Sequence, residues 1–166
     1  FPLATGVAIL GSGTDRNRVI GNVIGSDITG TRVMRNGSCG VLIGDGAQFN
    51  EIGGPTAAER NVISGNRAHG VTIAKAGSHA NVIAGNYIGL DATGSTALGN
   101  AFHGVFVLES AGGNRIGTSG DGAFDDAERN IISANLKGVF IAGGSVGNTV
   151  AGNYIGTDAT GVLPLG

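Results

Sequence analysis

One fourteen-residue phrase is spelled three times in this chain: "NRVIGNVIGSDITG" from Asn17, "NVIAGNYIGLDATG" from Asn81 and "NTVAGNYIGTDATG" from Asn148. The copies start 64 and then 67 residues apart, and a second phrase lies between them. "GVLIGDGAQFNEIGG…AERNVISGN" from Gly40 returns as "GVFVLESAGGNRIGT…AERNIISAN" from Gly104. Two kinds of unit therefore alternate, each opening on a Gly-Val pair, with coils starting near 6, 40, 70, 104 and 138. A fixed period of this length is the signature of a solenoid, in which each unit buries its apolar face only by stacking on the next.

Within each unit the same short runs recur in order: G-V-x-[IV], N-x-[IV], N-x-I. Period-two alternation rich in Val and Ile, bounded by Gly and Asn, predicts three short strands per unit. Helices are a poor reading, because glycine is present 33 times and costs about 1 kcal/mol at each interior helical position. The expected fold is all-β, a parallel β-helix of about five coils of three strands, forming one domain over 1–166. Inward aliphatics must then stack in columns: Ile9, Ile43, Ile73, Val107 and Ile141 on the first strand, with Val7, Val41, Val71, Val105 and Val139 beside them. Val19, Ile52, Ile83, Ile116 and Val150 form the second column, and Ile24, Ile63, Ile88, Ile132 and Ile155 the third.

Asparagine fills further columns. Asn17, Asn50, Asn81, Asn114 and Asn148 precede the second strand, and Asn22, Asn61, Asn86, Asn130 and Asn153 precede the third. Asn36, Asn66, Asn100 and Asn135 lie in the returning turn. A side-chain amide both donates and accepts, so stacked copies can bond above and below while tolerating a bent turn. Insertions separate the unit types. Odd units add "SDITGTRVMR", "LDATGSTAL" or "TDATGVLPL" after the third strand; even units add "GPTAAER" or "TSGDGAFDDAER" before it. Thr56 to Glu59 has capping-box spacing and is compatible with one helical turn. Glu59-Arg60 and Glu128-Arg129 read as ion pairs or stems anchoring these loops.

These phrases resemble right-handed parallel β-helix repeat proteins, the pectin-lyase-like solenoids, and most closely long bacterial surface or secreted proteins in which "GNYIGTDATG" and "RNVISGN" recur. The resemblance covers essentially the whole chain. It implies an extracellular or cell-surface setting and, for the enzymes among them, an acid or base with an arginine on an exposed strand face. Outward positions here do not carry that set. The first strand presents Ala8, Leu42, Thr72, Phe106 and Phe140; the second presents Arg18, Glu51, Val82, Arg115 and Thr149, a pattern expected to form exposed ion pairs. A glycosidase needs two carboxyls facing one bond, and no such pair stands out.

Other chemistry finds thin support. Asp121, Asp125, Asp126 and Glu128 crowd one loop without matching a calcium motif. Cys39, His69, His103 and Lys137 share a column, where ordinary turn roles outweigh metal ligation. Asn36-Gly37-Ser38 fits a glycosylation sequon. Ten basic against twelve acidic residues leave no electrostatic footprint for nucleic acid, no run is long enough for a membrane span, and Cys39 has no disulfide partner. No catalytic, cofactor or metal residue is therefore assigned.

The expected function is a non-catalytic structural or interaction module, part of a longer array and inclined to self-associate. Leu42, Phe106 and Phe140 on the first face, with Tyr87, Ile131 and Tyr154 on the third, are the candidate interface, unless insertions cover them. The alternative is a carbohydrate-active or glycan-binding β-helix. Ice binding ranks last, since only Thr72 and Thr149 occupy outward strand positions.

Overall fold

A computed structural model describes residues 4–166, so Phe1, Pro2 and Leu3 of the opening segment lie outside the described residues. The first rung holds β1 (Val7–Leu10), β2 (Arg18–Val19) and β3 (Val23–Ile24); the second β4 (Val41–Gly44), β5 (Glu51–Gly53) and β6 (Val62–Ile63). The third holds β7 (Val71–Ala74), β8 (Val82–Ala84) and β9 (Tyr87–Ile88). The fourth has β10 (His103–Leu108), β11 (Arg115–Gly117), the short helix α1 (Asp125–Glu128) and β12 (Ile131–Ile132). The fifth holds β13 (Lys137–Ile141), β14 (Thr149–Ala151) and β15 (Tyr154–Ile155).

Every strand pairs in parallel with its counterpart one coil on, giving three five-stranded sheets. The register is the one that the repeat implies: Ile9 opposite Ile43, Ile43 opposite Ile73, Ile73 opposite Val107 and Val107 opposite Ile141. The fold is thus an all-β parallel solenoid. The chain returns to the first sheet four times, so it makes about four full turns, slightly fewer than the five coils expected.

Only one side of each strand turns inward, and the interior columns are aliphatic. Ile43, Ile63, Ile73, Ile83, Ile88, Ile116 and Ile132 are fully buried, each stabilising by about 1.5 to 3 kcal/mol. The asparagine ladders close the corners. Asn50 donates from its backbone N–H and from Nδ2 to Asn81 Oδ1, both at 3.0 Å. Asn81 repeats this onto Asn114 Oδ1 and turns Nδ2 back to the Ala47 carbonyl at 3.1 Å. The second ladder, Asn22 through Asn153, and the third, Asn36 through Asn135, follow the same rule. Tight corners demand glycine where coils approach. Gly53 has φ +86°, and a Cβ there would lie 2.0 Å from the Ala84 carbonyl of the next coil.

Odd insertions are hairpins closed by antiparallel bridges at Ser26–Val33, Leu90–Ala97 and Thr157–Pro164. Asp27, Asp91 and Asp158 fold each one by accepting from the threonine hydroxyl two residues on and from backbone amides beyond it. The Thr56–Glu59 segment closes as one hydrogen-bonded turn, the Glu59 N–H donating to the Thr56 carbonyl at 3.0 Å, and does not extend into a helix. The Thr56 hydroxyl donates to the Glu59 carboxylate at 2.9 Å instead of capping a backbone amide, and the segment stays a turn. The one four-residue helix is α1, in the longer even insertion.

Candidate functional site

Burial falls off sharply at one end of the solenoid. The fifth-rung members of the core columns, Ile141, Val150 and Ile155, are 36%, 41% and 49% exposed, against 0% for Ile73, Ile83 and Ile88. First-rung Ile9, Val19 and Ile24 are only 6–8% exposed. The fifth rung therefore presents an apolar floor framed by three free strand edges, with Asn148 and Asn153 at its corners. Sequence reasoning placed these side chains inside; the signal that could have found them is that no further Gly-Val unit follows within the chain.

The outward column of the first sheet is an aromatic stack. Phe106 and Phe140 lie face to face, ring centroids 5.2 Å apart and planes within 3°, and Lys137 Nζ sits 3.8 Å from the Phe140 ring centroid. His69 and His103 stack at 5.0 Å beside them, and the His69 Nδ1 accepts from the His103 backbone N–H at 3.2 Å. Burial, then the neighbouring His103, lowers the His69 pKa to about 4. Burial, then Lys137, lowers that of His103, whose buried Nδ1 has no hydrogen-bond partner. Leu42, Phe106 and Phe140 are half-buried, and Thr72 between them is buried. Cys39, in the same turn column, is buried with its thiol 3.7 Å from the Thr5 hydroxyl.

The third-sheet column is roofed. The Arg60 guanidinium lies 4.3 Å from the centroid of Tyr87, and Arg129 lies 4.2 Å from that of Tyr154. Arg60 Nε also donates to the Gly85 carbonyl, and Arg129 Nε to that of Gly152. Ile131 is buried outright, and both tyrosines are half-buried.

Glutamates of the even insertions turn the other way. Glu59 pairs with Arg18 at 2.6 Å and Glu128 with Arg115 at 2.9 Å, so the sequence-adjacent Glu-Arg couples do not pair internally. Arg18 also holds Glu51 at 2.9 Å, an exposed ion pair of the kind expected for this sheet. Between the two even insertions runs a narrow cleft floored by Val82 and Ala84 and edged by Glu51, Pro55, Arg115 and Glu128.

The acidic loop is spent on its own backbone. Asp125 accepts from Gly120 and Gly122 amides, Asp121 from Ala123, and Asp126 pairs with Arg129. Among the described residues no group of three or more His, Cys, Asp or Glu side chains converges on a point where a metal could sit. Asn36 Nδ2, the atom a glycan would occupy, donates to Asn66 Oδ1 at 2.9 Å. Among the described residues no helix is long and apolar enough to cross a membrane.

Comparison of the chain with protein families, with curated proteins and with solved structures finds no match.

Proposed function

We propose that this chain is a non-catalytic structural and interaction module of a bacterial surface or secreted repeat protein, making its contacts through the fifth-rung end of the solenoid. The observation that carries the reading is the open rung: three core side chains and three strand edges, continuous with a buried interior, face outward together. Apolar side chains exposed together bury themselves against a second copy, so the isolated chain self-associates through side-chain contact rather than by continued strand pairing. The pairing of Glu51, Glu59 and Glu128 with arginines supports a structural role for the charges on the second sheet.

Light scattering over a dilution series tests this. Wild type should show mass rising with concentration, and Ile155→Lys should remain monomeric with an unchanged β circular dichroism spectrum. A concentration-independent wild-type monomer would overturn the reading.

A second reading, glycan binding, draws on the parallel Phe106–Phe140 stack beside Lys137, since flat rings suit the apolar faces of sugars. A glycan array with a depolymerisation screen separates the two. Turnover lost in Glu51→Gln would establish an enzyme in place of a structural module.

A further inference from the structure

The alternation of unit types has a steric cause. The Ala92 N–H donates to Gly30 O at 3.0 Å, and the Ala159 N–H to Gly94 O at 2.8 Å. Odd hairpins two rungs apart thus already touch, and a Cβ on Gly30 would lie 2.6 Å from that of Ala92. Rungs are about 4.8 Å apart, so each hairpin fills the height of two. The even rung between them contributes only a tight turn, whose Gly65 or Ala134 amide donates to Leu98 O or Leu165 O at 2.8 Å.

Even insertions interlock with the odd rungs on either side. Gly21 N–H donates to Glu59 O, and Gly85 N–H to Glu128 O, while Arg60 and Arg129 reach forward to the carbonyls of Gly85 and Gly152. Gly85 on the third rung is therefore held from both sides. Gly152, its fifth-rung counterpart, is held from one side only, and its N–H has no acceptor among the described residues.

We propose that the fifth-rung face is specific for an even-type coil entering from Gly166 in parallel register, and that it rejects an odd-type coil, including the first coil of a second copy. This rests on the reading of that face as the contact surface. Three observations converge on it. The chain is delivered to the right corner: Leu165 N–H bonds Gly156 O as Leu98 N–H bonds Gly89 O, both at 2.8 Å, and from Leu98 the backbone passes into Asn100 and the even rung. Donors wait on the face, because each ladder amide donates to the Oδ1 of the next coil and those of Asn148 and Asn153 have no such oxygen. Only an even-type coil brings the Glu-Arg insertion whose carbonyl satisfies Gly152. An odd coil would instead force a second hairpin against Thr157–Leu165 in half the height that a hairpin occupies. Two copies meeting fifth rung to fifth rung would set these donors against donors.

Three fusions to the full chain test the proposal. A copy of residues 100–137 placed after Gly166 supplies an even coil, and a copy of residues 66–99 supplies an odd one. The third is the odd copy with the segment taken from 90–98 deleted. That deletion joins Gly89 to Gly99, so the copy ends Ile-Gly-Gly, the length of Ile63-Ser64-Gly65.

Amide hydrogen exchange reads the outcome. The even copy should slow exchange at Asn148, Gly152 and Asn153 by about tenfold or more, while the odd copy leaves all three within about threefold of wild type. The shortened odd copy should restore protection at Asn148 and Asn153 but not at Gly152, which also guards against mere misfolding of the odd fusion. Equal protection by both full copies, no rescue by the deletion, or an ordered head-to-tail polymer of the unmodified chain would each overturn the specificity. Failure of the even copy to protect does so too, while leaving the dilution result as the separate test of the end face as a contact surface.

Discussion

Asn81 shows what one repeated side chain does. Its Oδ1 receives two donors from Asn50, and its Nδ2 serves both Ala47 O and Asn114 Oδ1, all in a fully buried position. Asn81→Ala strands donors and an acceptor at about 1 to 3 kcal/mol each, so it should lower stability by at least about 3 kcal/mol in a urea titration. Asn17→Ala, on the exposed first rung, should cost under about 1 kcal/mol. His69 makes a second residue-scale prediction. Its imidazole titrates at about 4 in the fold and near 6.5 in the unfolded chain, so between those values the unfolded state binds more protons. Stability is then full above about pH 6.5, falls as the pH drops towards 4, and levels below it. His103 shifts in the same direction. Asp91 behaves differently: burial opposes its ionisation, but the Thr93 hydroxyl and the Thr96 and Ser95 amides outweigh that and lower its pKa. Its contribution is lost only on further acidification, below the ordinary carboxylate range. Melting temperature against pH should therefore show a separate decline between pH 6.5 and 4, reduced in His69→Gln.

At the scale of the strand, position along the axis decides how much a core side chain contributes. Ile83→Ala, at the centre of the second sheet and 0% exposed, should cost about 2 to 5 kcal/mol. Ile155→Ala, half open to water on β15, should cost less than about half as much; equal losses would contradict the open end. Arg60→Ala should expose Tyr87 and free the Gly85 carbonyl, costing about 1 to 2 kcal/mol. The aliphatic and asparagine columns were legible in the sequence because a strict period copies the same environment at each turn, and one phrase suffices to place them all. The insertions were not, because their partners lie on other coils. Glu59 and Arg60 are neighbours in sequence, yet the chain leaving the turn sends one side chain to Arg18 and the other to Tyr87, 27 residues on. Thr56 spends its hydroxyl on the Glu59 carboxylate, a choice the capping pattern does not encode. The first-sheet aromatic column was visible from the period. The arginine roof over Tyr87 and Tyr154 was not, since it crosses from an even coil to an odd one.

For the whole molecule, each coil touches little beyond the ones beside it and, through its insertions, the ones two away. Stability should accordingly be nearly additive along the axis, with urea unfolding broadening if the third-rung Asn86 is changed to Ala, since that breaks the second ladder between two otherwise intact stacks. A sharp single transition in that variant would argue for tighter coupling than neighbour contacts supply. The ladders also have a direction: from rung to rung the backbone amides donate towards the carboxyl-terminal side and the Oδ1 atoms receive from the amino-terminal side. During synthesis, then, a coil that has already emerged holds out its amides, and the coil following from the ribosome brings the oxygens that settle onto them.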